Sequence, residues 1–418
     1  MSEEVQSVIT SRIRSTTAAV IKPVSNRLQS LDALRGFDMF WIISGEEIFH
    51  GIAAVIKQKY SLQQSSVDWK IRITDKVPPV ERFFIAISNQ LHHSVWNGFT
   101  FYDLIFPLFI FVAGVSMPLS YGKKLEQPAI NKSILKKDIY RSLIRRTIIL
   151  ILLGMVVNGV LQFAGYESTR FASVLGRIAL SCFFAAIIYL SCKLKTQLIC
   201  FLVILFGYWA AMMLIPVPGS GAGVLTPEGN LEGYIDRILL PGRLHRKVYD
   251  PEGLLSTVPA IASALLGIFA GQFLHWSQQR WNGPKIAGLL LFSGFLLMQL
   301  GWLWGLLFPI NKNMWTSSFV LYAGGWSLCL FALFYLVIDV IGYRKWSMPF
   351  IWTGTNSILI YLAAHGMINF GYSSQFLFGG LIHQAPEVWH QALLFAGVAL
   401  IQLSALYFLY KKKWFLKI

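Results

Sequence analysis

Charge is scarce in this sequence. Only 13% of its 418 residues are Asp, Glu, Lys or Arg, while 55% are hydrophobic; a soluble protein carries about 25% charged residues. The deficit runs along nearly the whole chain, which argues against one anchored soluble domain and for many membrane spans. Cysteine is sparse too. Cys182, Cys192, Cys200 and Cys329 lie in or beside apolar stretches without paired spacing, which argues against a disulfide framework and a Cys₄ zinc centre; no metal is expected. The chain also lacks GxxxxGK[ST], HExxH and GxSxG, so ATPase, zincin and serine-hydrolase chemistries have no signature here. The first thirty residues are polar, without the apolar core of a cleaved leader, and the N-terminus is expected to stay in the cytoplasm.

What is present is a series of apolar runs. A spanning helix needs about 20 mostly apolar residues. Ten segments qualify: 37–57, 101–121, 143–164, 172–192, 198–216, 256–274, 286–308, 317–341, 350–370 and 389–410. The expected fold is therefore all-α, a polytopic membrane protein with about ten transmembrane helices. With the N-terminus inside, 23 Lys and Arg fall in cytoplasmic connections and 12 in the longer outer ones. That bias places both termini in the cytoplasm and makes the net charge of +16 chiefly a topology signal rather than a nucleic-acid footprint. The division expected is a cytoplasmic segment 1–28 and a membrane domain 29–418 with outer loops at 58–100 and 218–255. No internal repeat is apparent, which disfavours transporters built from paired halves.

Polar groups within spans are costly and usually face a bundle interior or a wet cavity. In the first span, Arg35 and Glu46 are separated by only about 20° around the helix axis and by about 16 Å along it. Asp38 and His50 flank that face, so a polar stripe is expected to line a passage. His93 precedes Trp96 and Asn97 just before the second span, and imidazole serves as acyl acceptor or general base near neutral pH. Trp96, Asn97 and Asp103 are candidates to line a sugar site; Asp103 is equally placed to cap the second span. The basic run from Lys123 to Arg146 fits topology, but Arg141, Arg145 and Arg146, at the lip of the third span, are candidates for phosphate contacts. Arg177 and His365 complete the set of intramembrane candidates.

Taken in order, several stretches resemble the heparan-α-glucosaminide N-acetyltransferase family of transmembrane acetyltransferases, in its bacterial form. They are Ser30–Gly36, His93–Gly98 with Asp103–Pro107, Val174–Arg177, Pro216–Gly219, Gly233–Arg237, Tyr249–Gly253, Asn311–Trp315, Asn356–Leu359 and the lysine-rich tail. The resemblance covers nearly everything from Leu28 onward. It implies transfer of acetyl from cytoplasmic acetyl-CoA to a non-reducing glucosamine on the far face, in a homodimer of the bacterial inner membrane. The family's essential histidine falls on His93. On the same stretches, Asp250, Asn311 and Trp315 are expected to contact the sugar; Arg35 and Arg177, together with Arg141, Arg145, Arg146 and His365 from outside those stretches, are expected to contact the donor. Two departures accompany the match. Lysosomal members carry a large lumenal domain before the first shared span, where this chain has thirty residues, and they carry asparagine where it has Glu46. Glu46 is expected to act as general base or to bind the substrate's ammonium group.

The expected mechanism holds the nucleotide at the cytoplasmic mouth and extends the thioester to His93, which either takes the acetyl group or serves as base. Two alternatives share the span pattern: a secondary transporter of a sugar or organic anion, and an O-acyltransferase acting on envelope polysaccharide.

Overall fold

A computed structural model of the chain describes residues 28–65, 70–122, 125, 132–162 and 165–416. The expected segment 1–28, apart from Leu28, and Lys123 and Lys124 lie outside the described residues. Among the described residues the regular structure is helical. The principal elements are α1 (Gln29–Lys59), α2 (Pro79–Gln90), α3 (Phe101–Gly122), α4 (Lys132–Val157), α5 (Val174–Ser191), α6 (Leu194–Leu214), α7 (Leu231–Leu239) and α8 (Leu254–Ser277). They continue with α9 (Gly283–Gly305), α10 (Ser317–Val340), α11 (Met348–Thr355), α12 (Ser357–Met367), α13 (Phe370–Gln384) and α14 (Glu387–Lys411).

Eight of these, α1, α3, α5, α6, α8, α9, α10 and α14, are long and apolar enough to cross a membrane. The expected third span falls on α4, whose first half is charged. The ninth is broken at Asn356 (φ −127°, ψ 31°) between α11 and α12. Asn356 fills the break with its side chain: Nδ2 donates to the Trp414 carbonyl (3.0 Å) and Oδ1 accepts from the Leu416 amide (3.1 Å). The C-terminal tail is thereby tied to the middle of a helix pair.

The centre is built from α3, α8 and α10, the spans most buried in the protein, while α6 and α9 turn most of their surface outward. Water exclusion gives little drive between helices in lipid, so small residues and close van der Waals contact hold them together. A Cβ on Gly114 would lie 2.2 Å from the Ala264 carbonyl oxygen, and one on Gly267 would lie 2.0 Å from that of Phe111. The same logic locks α1 to α11: a Cβ on Gly36 would meet the Phe350 carbonyl oxygen at 1.7 Å, and one on Gly354 the Asp32 carbonyl oxygen at 1.8 Å. These are backbone-to-backbone crossings that only glycine permits.

Within α1, residues Trp41–Gly45 form a π turn, a helix irregularity frequent at functional sites. Between Arg35 and Glu46 along the chain, Met39 and Ile42 line a cavity whose wall includes neither charge. The expected polar stripe is thus apolar in its middle. Asp38 is buried with neither carboxylate oxygen hydrogen-bonded. His50 turns to Ser88 Oγ (2.8 Å) and stacks on His92 with ring centroids 4.0 Å apart.

Candidate active site

The loop joining α2 to α3 carries His93, and the start of α3 fixes it. The Thr100 amide donates to Asp103 Oδ2 (3.1 Å), the capping contact anticipated for that carboxylate, and the Ser94 amide donates to the same oxygen (3.2 Å). The other oxygen, Oδ1, receives His93 Nδ1–H at 2.8 Å. Asp103 therefore caps the helix and orients the imidazole with one buried carboxylate. Because an ionised carboxylate only accepts, Nδ1 carries the proton and Nε2 keeps its lone pair.

Lys312 stands beside the ring, with Nζ 3.1 Å from both Nδ1 and Nε2. It comes from the α9–α10 loop, which is pinned on several sides. Asn311 is wholly buried; its Nδ2 donates to Asn97 Oδ1 (3.0 Å) and its Oδ1 accepts from the Met314 amide (2.9 Å). The Gly98 amide donates to the Ile310 carbonyl (2.9 Å). Trp315, also wholly buried, holds a left-handed φ of 51° and donates from its indole to Ser263 Oγ (3.0 Å). A bulky residue in that conformation persists only where its surroundings over-determine it. The Trp96 indole donates to the Leu225 carbonyl (2.8 Å) and its ring packs on Tyr249. Three loops thus brace one imidazole.

His93 and Lys312 line a cavity of about 290 Å³ with Met39, Ile42, Tyr102, Phe106, Glu252, Tyr361 and His365. The His93 side chain is 48% exposed, opening onto this cavity while protein surrounds it otherwise. That enclosure, and then the Lys312 ammonium, lower its pKa below the ordinary histidine value against the opposing pull of Asp103. The pKa of Lys312 is lowered in turn by its own burial. A neutral imidazole beside a cation can attack an electrophilic carbonyl while the cation stabilises the oxyanion that forms.

A second cavity, of about 330 Å³, is lined by Arg35, Ser116, Ser120, Tyr121, Arg146, Asn356 and Leu416, among others. Phe109, Leu175, Ile178 and Ile358 line both cavities. The space beside Arg35 and Arg146 therefore meets the space beside His93 at a shared apolar wall.

The other expected site residues divide. Arg141 and Arg145 are exposed on α4 away from these walls. His365 lies on the His93 cavity and stacks on Tyr361. Glu46 is not on that wall; its carboxylate faces His50 (3.5 Å) and interacts with the Tyr102 hydroxyl. Arg177 is 2% exposed, places its guanidinium 5.0 Å over the Trp315 ring and donates to Ser256 Oγ and the Gly253 carbonyl. Asp250 is sealed inside and engaged by Arg170 through two contacts, 2.8 Å from Nε and 2.5 Å from Nη2. Although burial opposes it, this pairing lowers the Asp250 pKa. Arg177, Asp250, Asn311 and Trp315 are thus framework around the cavity rather than its surface.

Within the 218–255 connection, Glu232 and Asp236 on α7 are both fully buried. Ser256 Oγ donates to Glu232 Oε1 (2.9 Å) and the Leu254 amide to Asp236 Oδ1 (2.9 Å). Burial first, and then the neighbouring Asp236, push the Glu232 pKa well up; burial brings that of Asp236 to about 6. Lys312 and Glu252 escaped sequence reasoning because one counted only as a loop charge and the other sat unremarked within Tyr249–Gly253. Their adjacency to Asn311, Trp315 and Asp250 was the available signal.

Apolar spans around two abutting cavities, one walled by a carboxylate-held imidazole and the other by arginines, define a polytopic membrane protein with an interior site. The family described as "Heparan-alpha-glucosaminide N-acetyltransferase, catalytic" matches residues 81–301. The heparan-alpha-glucosaminide N-acetyltransferase of Mus musculus is 30% identical over 388 residues, covering 78% of this chain and 56% of that protein. The Homo sapiens protein of the same name is 30% identical over 380 residues, covering 78% and 55%. The chain belongs to this acetyltransferase family, and it spans just over half the length of these relatives.

Proposed function

We propose that the protein moves an acetyl group from acetyl-CoA on the cytoplasmic side to the amine of a glucosamine-type sugar on the opposite face. The supporting observation is that the His93–Lys312 cavity and the Arg35–Arg146 cavity share four wall residues. A polyanionic nucleotide suits the arginines. The less polar pantetheine arm suits Phe109, Ile178 and Ile358, and the thioester then reaches His93. The donor crosses no membrane; only its acyl end does.

Of the two routes open to His93, the covalent one suits the placement of the ring, whose Nε2 keeps its lone pair while Asp103 holds the proton on Nδ1. Either route makes the ring cationic beside Lys312, by protonation or by acetylation of Nε2, and the Asp103 carboxylate offsets that charge. A nucleophile needs Nε2 unprotonated; Lys312 favours that form, while Asp103 fixes the remaining proton on Nδ1 although its charge pulls toward imidazolium. Nε2 attacks the thioester carbon, the C–S bond breaks with its electron pair leaving on sulphur, and the amine then displaces the imidazole. The test is thiol release from acetyl-CoA by purified protein with and without glucosamine, with double-reciprocal plots over both substrates. Parallel lines are expected, and no release by His93→Ala. Intersecting lines would exclude the covalent route, and full activity in His93→Ala would overturn the site.

A further inference from the structure

The reaction needs a neutral amine, yet a glucosamine arrives at neutral pH largely as ammonium. The carboxylate expected to meet it, Glu46, is turned to His50 and Tyr102. A different carboxylate lies on the cavity wall. Glu252 shares that wall with His93 and Lys312, although the three residues come from three separate loops.

Glu252 is held at the mouth of α8 by a rigid bracket. Its amide donates to Asp250 Oδ1 (3.0 Å), and the His245 amide donates to Asp250 Oδ2 (2.9 Å). Arg170 engages Asp250 through Nε and Nη2, and the same Nη2 reaches Glu252 Oε2. Burial opposes the charge of Arg170, but these two carboxylates outweigh it and raise its pKa. The cavity consequently presents a cation beside Nε2 and an anion from another side. A thioester carbonyl oxygen is drawn to the first, and an ammonium to the second.

We propose that Glu252 is the acceptor-recognition residue: it binds the sugar's ammonium group and takes one proton from it. This rests on acetyl transfer to an amine as set out above. Proton loss to Glu252 leaves the nitrogen with a free electron pair, which attacks the acetyl carbon. The bond from that carbon to His93 Nε2 breaks, the electron pair returns to Nε2, the second nitrogen proton is lost to water, and water protonates the departed thiolate. The proton on Glu252 is lost to water. Arg170 and Asp250 act through Glu252 and are positioning residues.

The experiment compares wild type, Glu252→Gln and Glu252→Asp as purified full-length protein, measuring kcat and KM for each substrate between pH 6 and 9. Glutamine can still accept from Arg170 but neither pairs with an ammonium nor takes its proton. We expect kcat/KM for glucosamine to fall roughly 100-fold near neutral pH, the lower end for removal of a general base. KM for acetyl-CoA should stay within about twofold. The deficit should shrink as pH rises, because solution then supplies free amine, and Glu252→Asp should recover part of the loss. An equal effect on both substrates, or a glucosamine deficit independent of pH, would reduce Glu252 to part of the scaffold. Unchanged glucosamine kinetics in Glu252→Gln would overturn the assignment outright. If the wild type itself releases no thiol with any amine, acetyl transfer fails first, a result distinct from a selective defect in the variant.

Discussion

The two cavities are of similar volume but differ in how their polar groups are held. Around His93, each polar side chain answers to another: Asp103 to two backbone amides, Asn311 to Asn97, Arg170 to Asp250 and Glu252. In the other cavity Arg35 pairs with Asp32 (3.6 Å) and Asn356 is tied to the tail, but Arg146 sits exposed on α4. The difference separates two tasks. Bond-making needs atoms fixed to a fraction of an ångström, whereas gripping a polyphosphate needs charge within reach and tolerates motion.

Substitutions in the two cavities should therefore fail in different ways. The largest effect is expected from His93→Ala, which removes the nucleophile and should lower kcat by about 1,000-fold or more in the thiol-release assay. Lys312→Met comes next, with kcat down about 100-fold, the usual cost of losing an oxyanion donor. Its pH profile supplies a sign. The pKa of His93 lies below the ordinary 6.5, partly through Lys312, so the wild type keeps a neutral imidazole into mildly acidic solution. Without the ammonium that pKa rises, and the acid limb of kcat should move to higher pH. An acid limb that stays in place would break the proposed link between the two residues.

Arg146→Ala tests the opposite cavity. It should raise KM for acetyl-CoA by roughly 10- to 100-fold, as loss of one charge-assisted contact costs about 1.5–3 kcal/mol, and leave kcat nearly unchanged. A fall in kcat alone would erase the contrast drawn here.

The smallest effect concerns stability. The carboxyl of Asp236 has its folded pKa raised from 3.8 to about 6 by burial, so between those values the folded state binds more protons than the unfolded one. Its contribution is full below about pH 4 and is lost as pH rises through about 6. Asp236→Asn should flatten that decline in thermal denaturation scans.

The sequence made some of this plain. Apolar runs located the helices, and lysine and arginine counts set an expected orientation. His93 and Asp103 were legible as neighbours because ten residues and one helix start separate them. Lys312 was not: it stands 219 positions after His93, and only the packing of two loops joins them. Helix periodicity led to the expectation of Arg35 and Glu46 on one face, but it could not tell that a π turn would come between them or that Met39 and Ile42 would line the cavity. Nor could it tell that Glu252 would take the place on the cavity expected for Glu46. Buried residues such as Arg177, Asp250 and Trp315 carry the chemistry-bearing types without a free surface, and residue type alone does not reveal exposure.

The glycine crossings have a mechanical corollary. With Gly36 against Phe350 and Gly354 against Asp32, α1 is riveted to the broken helix pair that helps wall both cavities. Swinging those elements apart would tear contacts made by main chain, which has no rotamer to yield. Under the proposed reaction such swinging is unnecessary. A rocker carries its cargo by changing shape; here the donor's own tether spans the distance, and the protein has only to stand still.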